Sequence, residues 1–264
     1  MTASLAAAVA GLAGVTAPGT AAAAASPVPA GGAKYAGPLV LNDTGSQLKS
    51  WNKSASYCDA SPGFAGNGKV AASSSGTLAL TTTGKAGSCV GLISPGRYSS
   101  AVIEADVDFP ALPGKPQTIA NWAGVWLTGP DWPTDGEFDA VEVEPVNGLN
   151  AVTWHSGTSS KPFVASTSGF FQPALPTKTA NLTPGWHTVD IVYTKGFLAV
   201  YYDGQLYTSF TSSNVTGRPL NLYFTMSNTP NTAWVRDRIG GPPINSDGSS
   251  ATLAVKYLRV WSYQ

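Results

Sequence analysis

The chain has 264 residues, and its 15 basic and 15 acidic side chains give it a formal net charge of zero. Only 11% of the residues are charged, against about 25% in an average soluble domain. A chain without a basic surplus lacks the positive field that attracts nucleic acids, so no nucleic-acid partner is expected. The low charge also argues against a region kept disordered by charge, which leaves a folded domain with a neutral surface.

Residues 1–30 carry no charge and consist mostly of alanine, and the first basic residue is Lys34. The apolar stretch 5–17 is too short for a membrane span and is typical of the apolar core of a secretory signal. Small residues suited to signal cleavage follow at 23–25 and 28–30. We therefore expect 1–30 to be a signal peptide or Ala-rich export segment, although a basic start is missing and a disordered tail is the alternative. The remainder, 31–264, is expected to be one secreted domain without membrane attachment.

The chain contains two cysteines, Cys58 and Cys89. An even number of cysteines in an exported protein favours a disulfide, and two free thiols are the alternative. Closing a loop of this length would stabilise the fold by about 3–4 kcal/mol in the chain-entropy description. Two cysteines and two distant histidines lack the ligand spacing of a zinc site, so no metal site is expected.

Beyond residue 31 the sequence consists of short strand-like runs separated by turn residues, with no amphipathic helix of three turns. Several runs alternate apolar and polar residues, as strands with one buried face do. Hairpin turns are indicated at 194–196 and 203–204. The predicted strands are 77–82, 101–109, 123–128, 137–143, 151–155, 187–193, 197–202, 220–226 and 251–261. This pattern predicts an all-β sandwich or jelly roll.

Three acidic residues fall within six positions, at Glu137, Asp139 and Glu142. On a regular strand the first two share a face, and the next position on that face is Val141. One extra residue, a β-bulge, would return Glu142 to the face of the other two acids. We therefore predict a bulged strand with three carboxylates on one side, and with Phe138 directed into the core.

Three carboxylates on one face repel each other and are costly to bury without cations. The nearest basic residues in the sequence are Lys115 and Lys161. A nucleophilic carboxylate paired with a protonated carboxyl is the machinery of glycosidases, so we interpret the strand as a catalytic site. A solvated face with scattered acids is the alternative. Crowding predicts that at least one of the three pKa values is raised.

The sequence EFDAVE at 137–142 resembles the bulged E-x-D-x-x-E signature of glycoside hydrolase family 16, the laminarinase and β-glucanase group. Further segments resemble family sequences in the same order, over about residues 75–264. They are NWAGVW at 121–126, DWP at 131–133, GWHTVD at 185–190, YYDG at 201–204 and AVKYLRVW at 254–261. The resemblance implies a concanavalin A-like β-jelly-roll sandwich of two antiparallel sheets, and a retaining endo-β-glycosidase acting on a β-1,3 or mixed-linkage glucan.

The resemblance also implies roles for the three acids. Glu137 would be the nucleophile, Glu142 the general acid/base, and Asp139 would lie between them and tune the pair. The residues expected to bind the polysaccharide are Trp122, Trp126, Trp132 and His155. Core packing is the alternative for the aromatic residues.

No cofactor is expected, and the protein is expected to be a monomer. Relatives hold a structural calcium ion, but Lys256 stands where the family has a calcium-binding aspartate in the closing strand. Two other functions are compatible with the resemblance. A carbohydrate-binding protein on the same fold would bind without cleaving, and a transglycosylase would pass the sugar to an acceptor other than water.

Overall fold

The computed structural model describes residues 28–53, 58, 64–168, 171–233, 236, 243 and 249–264. The strands, in chain order, are β1 (Ala36–Thr44), β2 (Asn52–Lys53), β3 (Lys69–Ala72), β4 (Leu78–Thr81), β5 (Cys89–Tyr98), β6 (Ala101–Phe109), β7 (Ala111–Leu112), β8 (Lys115–Ile119), β9 (Trp122–Thr128), β10 (Glu137–Val143), β11 (Asn150–Thr158), β12 (Lys161–Ser166), β13 (Gly185–Thr194), β14 (Phe197–Tyr202), β15 (Gln205–Thr211), β16 (Leu220–Ser227) and β17 (Thr252–Tyr263). A short helix α1 (Gly45–Leu48) and a 3-10 turn (Ala33–Tyr35) complete the regular elements of this part of the chain.

The strands form two large antiparallel sheets, as the sequence predicts. Over the described residues the first sheet has the order β15-β14-β13-β6-β17-β4-β3, with β1 also paired to β17. The second has the order β12-β11-β10-β9-β16-β5-β2, and β7 and β8 form a separate hairpin. Every predicted strand overlaps an observed one, and the two sheets build the expected jelly-roll sandwich.

Apolar and polar residues alternate along the strands, so that apolar side chains fill the space between the two sheets. In β6 the side chains of Ile103, Val107 and Phe109 are fully or almost fully buried in the main core. Successive side chains of a strand point to opposite faces, so the neighbouring positions of β6 lie on the outer face of the first sheet. One such neighbour is Glu104, which is 2% exposed.

The outer face of the first sheet carries a second, smaller apolar cluster. Its buried members are Val102, Val192, Ala199 and Trp261, and the side chains packed on them include those of Tyr35, Leu39 and Tyr201. The segment from the 3-10 turn into β1 therefore covers this face, and its strand pairs directly with β17. The part of the predicted export segment before residue 28 lies outside the described residues.

The two cysteines form the expected disulfide. Cys58 and Cys89 are bonded, with their Cα atoms 5.6 Å apart. Both are about 1% exposed, so the bond joins Cys58 to the start of β5 inside the protein. The alternative of two free thiols is wrong for this structure.

Two features of the fold bear on the other expectations. Lys256, which stands in place of the family aspartate, has its Nζ atom 3.3 Å from Asp106 Oδ2 on the neighbouring strand β6. None of the helices among the described residues has the length and apolarity needed to cross a membrane.

Candidate active site

The three acids lie on β10, a central strand of the second sheet, and the predicted bulge is present. In the pairing of β10 with β11, Asp139 lies opposite Thr153 and Glu142 lies opposite Ala151. An advance of three residues along β10 therefore corresponds to an advance of two residues along β11. Directly opposed residues of antiparallel strands share a face. Glu137 pairs with His155, and the three acids therefore occupy successive positions on one face.

The opposite face of β10 explains why the strand bulges there. Phe138, Ala140, Val141 and Val143 are all fully buried in the main core. Both Ala140 and Val141 thus point inward, which a regular strand does not allow for consecutive residues. The register against β9 shifts at the same place, between Asp139 and Val141. The bulge buries four apolar side chains and leaves the acids together.

A hydrogen-bond network satisfies the backbone groups that the bulge displaces. The Tyr202 hydroxyl, reaching from β14 of the opposite sheet, donates to the Ala140 carbonyl at 2.7 Å. The side-chain amide of Asn150 donates to the same hydroxyl, and its Oδ1 accepts the Glu142 N–H at 2.9 Å. Asn150 and Tyr202 are 4% and 5% exposed. These two side chains therefore fix the bulge, and with it the position of Glu142.

We expect Tyr202→Phe to cost about 1–3 kcal/mol of unfolding free energy, because a buried carbonyl and a buried amide lose their partner. The family resemblance implies that Glu142 is the general acid/base, and on that role a shift of its carboxyl by about 1 Å would also lower kcat up to about 100-fold. Urea unfolding and steady-state kinetics measure both effects. Tyr201→Phe is the matched control, since that neighbouring tyrosine lies on the outer face of the first sheet. Equal losses of unfolding free energy and of kcat in the two variants would argue against a role of the hydrogen-bond network in fixing the bulge.

The loop before β10 is fixed by its own contacts. Gly136 has φ 104°, and a Cβ atom there would lie 2.4 Å from the Trp154 ring. The side chain of Asp135 forms an ion pair of 2.8 Å with Arg218 and accepts the backbone N–H of Asp131. This arrangement brings the chain into β10 at Glu137 and holds the loop that carries Trp132.

Burial and the two neighbouring acids raise the pKa of Asp139 well above its usual range. Burial is the largest cause, and the negative charges of Glu137 and Glu142 add to it. Asp139 is 7% exposed, whereas the Glu137 side chain is 22% exposed. The sequence predicted a raised pKa from crowding, whereas at this central carboxyl burial is the larger cause and crowding the smaller. A protonated Asp139 can donate a hydrogen bond to a neighbouring carboxylate, which lets it act as a tuning group.

We expect Asp139→Asn to change the pH dependence of stability. A carboxyl with a raised folded-state pKa contributes stability that is complete below the unfolded pKa, about 3.9, and is lost as pH rises through the folded value. The wild type should therefore lose stability relative to the variant from about pH 4 upward. Urea unfolding at a series of pH values measures this difference.

Asp135→Asn is the control of opposite sign. The hydrogen bond from Arg218 lowers the pKa of Asp135, so its contribution is present above the unfolded pKa and lost as pH falls. A wild-type curve that stays parallel to that of Asp139→Asn across the whole range would contradict the raised pKa.

His155 lies beside two of the acids, and its predicted role in binding the polysaccharide stays a prediction. Its Nε2 atom is 3.8 Å from Glu137 Oε1 and 3.6 Å from Asp139 Oδ2. Donor atoms of these three residues lie within 4.8 Å of one another, a spacing that a metal ion could bridge. The proposed chemistry needs no metal, and the expected absence of a cofactor stays a prediction.

The exposed aromatic side chains at this end of the site come from two loops. Trp132 is 55% exposed with its ring centre 6.5 Å from that of His155, and Phe171 is 42% exposed at 6.2 Å. Together they flank the histidine with apolar surface. Trp132 has the exposed ring that sugar binding needs, and its substrate-binding role stays a prediction. Phe171 was not predicted, because no strand pattern connects its loop to the acidic strand.

Trp126 lies opposite Asp139 on β9, but its ring is largely covered. It is 7% exposed, stacks on Tyr223 at 4.3 Å, and donates its Nε1–H to the Thr225 hydroxyl at 3.1 Å. The Trp126 ring therefore supports the site by packing, and the half-buried Tyr223 has more exposed surface than Trp126. Alternation in 220–226 could have indicated Tyr223, because its neighbours Leu222 and Phe224 point into the core.

Trp122 lies at the start of β9, four residues before Trp126 and on the same face. It is half-buried, and its ring meets that of Phe64 edge to face at 6.1 Å. Asn221, at the other end of the site, accepts a hydrogen bond of 3.1 Å from Arg97 on β5. Sequence reasoning did not identify this polar pair, because Arg97 follows a Pro-Gly break that hides β5.

Fold and site together define a jelly-roll sandwich whose second sheet carries a bulged strand with three acids. Residues 68–179 match the XgeA-like, catalytic GH16 domain. This segment contains the bulged strand, and over it the resemblance to glycoside hydrolase family 16 predicted from the sequence is confirmed.

Two fungal proteins share shorter segments with the chain. The endo-1,3(4)-beta-glucanase xgeA of Emericella nidulans is 38% identical over 50 residues, which are 19% of this chain and 8% of that protein. A probable endo-1,3(4)-beta-glucanase of Aspergillus niger is 34% identical over 83 residues, which are 31% of this chain and 11% of that protein. The matches thus span about a tenth of the length of these curated relatives.

Solved structures share the fold over most of the chain. The endo-beta-1,3-glucanase of Pyrococcus furiosus has a TM-score of 0.57 and 18% identity, over 86% of this chain and 94% of that chain. A family 16 endo-glucanase of Bacteroides ovatus in complex with G4G3G-2F-DNP has a TM-score of 0.60 and 15% identity, over 83% of this chain and 99% of that chain. At these identities the likeness establishes the common jelly-roll fold.

Proposed function

We propose that this protein is a secreted, retaining endo-β-glycosidase that hydrolyses a β-glucan of β-1,3 or mixed linkage. The observation that carries the proposal is the bulge of β10, which puts Glu137, Asp139 and Glu142 on one face of the sheet. The family match over 68–179 and the glucanase names of the two fungal relatives support the substrate class.

The proposed reaction has two steps. In the first, Glu142 protonates the glycosidic oxygen while Glu137 attacks the anomeric carbon, so that the leaving sugar departs and a glycosyl-enzyme forms. In the second, Glu142 as carboxylate removes a proton from water, and the water oxygen displaces Glu137 from the anomeric carbon. Net retention follows from two inversions. A protonated Asp139 donates to the Glu137 carboxylate and holds it in position.

The polysaccharide would lie across the second sheet, over the strand that carries the acids. Trp132 and Phe171 offer exposed apolar surface near Glu137, and sugar rings have apolar C–H faces that pack on aromatic rings. Arg97 and Asn221 offer polar groups for hydroxyls on the β5 side. Solved relatives of the same fold are described as complexes with oligosaccharides, which supports a polysaccharide substrate.

A reducing-sugar assay on a polysaccharide panel tests the proposal. We expect release of reducing ends from laminarin or mixed-linkage glucan and none from κ-carrageenan, because a chain with zero net charge attracts a sulfated polymer poorly. Fresh product should be the β-anomer by NMR, and an early fall in chain length would identify endo action. An α-anomer formed first would contradict the retaining mechanism.

The same assay distinguishes the two alternatives. Glucan binding without cleavage of any panel member would favour a carbohydrate-binding protein. Longer products that appear when an oligosaccharide acceptor is added, without matching reducing ends, would favour a transglycosylase.

A further inference from the structure

The outer face of the first sheet, far from the catalytic strand, holds two buried carboxyl groups that the proposed hydrolysis does not use. Glu104 on β6 and Asp190 on β13 are directly opposite each other in the register of the two strands. They are 2% and 0% exposed. Adjacent carboxylates removed from water are costly unless cations and donors face them.

Among the described residues, a cation contacts one of these two carboxyls only. Arg259 places Nη1 at 3.2 Å from Glu104 Oε1, and the Tyr257 hydroxyl also bonds Glu104. Asp190 accepts the backbone N–H of Gly31 at 3.1 Å through Oδ2. Its Oδ1 is buried without a hydrogen-bond partner in the described part of the chain. Arg259 is therefore the one cation that the described residues place within ion-pair distance of the two carboxyls. Without a second cation, burial and the charge of Glu104 favour a protonated Asp190.

The backbone around residues 30 and 31 lies directly on this pair. The N–H of Ala30 donates to Glu104 Oε2, and the next N–H, of Gly31, donates to Asp190. Gly31 is buried, and a Cβ atom there would lie 2.5 Å from Tyr201 Cβ. Only glycine lets the backbone nitrogen come so close to the sheet at this position.

We propose that the peptide bond between Ala30 and Gly31 is hydrolysed during export, and that the new α-ammonium group of Gly31 is the buried counter-ion of Asp190 and Glu104. The small residues at 28–30 fit signal cleavage after Ala30. Water adds across the bond, which leaves a carboxylate on the released segment and an ammonium on Gly31. This inference depends on the predicted export segment and not on the proposed hydrolysis.

The charge balance favours this N-terminus over the other predicted cleavage position, after Ala25. Cleavage after Ala30 removes the Ala30 N–H from Glu104 Oε2. In exchange, the Gly31 nitrogen changes from a peptide N–H with one donor and no charge to an ammonium with up to three donors and one positive charge. With Arg259, two cations then face Glu104 and Asp190. Cleavage after Ala25 would leave an ordinary peptide nitrogen at Gly31, and the pair would still lack its second cation.

The pH dependence of stability should differ between the two forms. In the chain with residue 30 still attached, burial and the charge of Glu104 raise the pKa of Asp190 to about 8. That contribution to stability is complete below the unfolded value of about 3.9 and is lost as pH rises to about 8. An ammonium favours the ionised Asp190, so the cleaved form should not show this loss. Among the described residues, the titratable groups that face Asp190 are Glu104, Tyr201 and Asp203, and Glu104 is in turn contacted by Tyr257 and Arg259.

N-terminal sequencing of the full chain exported from a bacterial host gives the first test. We expect Gly31 to be the first residue. A mature chain that begins at Ser26, or an export segment that stays attached, would overturn the proposal.

Thermal unfolding of two secreted forms gives the second test. The wild type is compared with Ala30→Leu, which removes the small residue needed for cleavage there and directs it to the site after Ala25. We expect the wild-type midpoint to be about 5–10 °C higher near pH 7, with the difference shrinking toward pH 4. Sequencing confirms the N-terminus of each form.

The same comparison in two further backgrounds separates a charge effect from a purely structural one. In Asp190→Asn the midpoint difference should largely disappear, because the ammonium loses its partner. In Asp203→Asn, which removes an exposed carboxylate nearby, the difference should remain. Equal midpoints for the two wild-type forms at every pH, or an undiminished difference in Asp190→Asn, would show that the ammonium is not the counter-ion.

Discussion

Glu137→Ala is expected to lower kcat on the best glucan of the panel by about 10⁴-fold or more, because it removes the group that would form the covalent intermediate of the proposed reaction. The side chain is 22% exposed and lies on the surface of the sheet, so the substitution leaves the main core unchanged. Reducing-sugar release under saturating substrate measures the loss.

Adding azide to Glu137→Ala tests whether Glu137 is the nucleophile. It fits the space left by the carboxylate and attacks an activated glycoside from the same side, so we expect an α-glycosyl azide from Glu137→Ala. Glu144→Ala is the matched control, since that carboxylate lies in the turn after β10 and accepts a hydrogen bond of 2.7 Å from Asn147. The control should keep near wild-type turnover. Undiminished activity in Glu137→Ala would refute the mechanism.

Glu142→Ala is expected to lower kcat on the same glucan by about 10²–10⁴-fold, because general acid and base assistance contribute about that much. The loss should depend on the leaving group. A dinitrophenyl β-glycoside has a leaving group that needs no protonation, so its first step should proceed almost normally and release a burst of phenolate. Stopped-flow absorbance measures that burst.

Adding azide to Glu142→Ala distinguishes the acid/base role from the nucleophile role. It needs no general base and attacks the glycosyl-enzyme formed on Glu137, so Glu142→Ala should produce a β-glycosyl azide. The two substitutions are therefore expected to give azides of opposite configuration. The same configuration from both variants, or an equal loss on activated and natural substrates in Glu142→Ala, would contradict the assignment of acid/base and nucleophile.

The strands were predictable where apolar and polar residues alternate. In β6 and β16 alternate side chains fill the core, so a period of two in the sequence was sufficient. The same reasoning missed β5, because Pro95 and Gly96 interrupt its pattern although the chain continues as a strand to Tyr98. Pairing with β16 stabilises this strand, and pairing is a property that its local sequence does not contain.

The site was predictable to the extent that it lies on one strand. The spacing of Glu137, Asp139 and Glu142 indicated a bulge, and the register confirms it. The side chains that hold the bulge, Tyr202 and Asn150, come from distant parts of the chain, one of them from the other sheet. No spacing rule connects such residues.

The exposure of the aromatic side chains also could not be predicted from the sequence. Trp126 and Trp132 both precede the acidic strand and look equally suited to sugar binding in the sequence. In the structure one is 7% exposed beneath Tyr223 and the other is 55% exposed. Trp126 is covered by its neighbour Tyr223 across the sheet, whereas Trp132 lies in the loop between β9 and β10 and meets solvent.

By itself, the sequence determined a neutral all-β chain with two cysteines, an export-like start and three acids spaced for a bulged strand. These properties follow from composition and from local periodicity, which act between near neighbours. Only the tertiary structure decided which carboxyl has its pKa raised, how the bulge is held and which carboxyls meet the backbone at Gly31. Burial and long-range pairing set these properties, because desolvation and hydrogen bonding depend on residues that folding brings together.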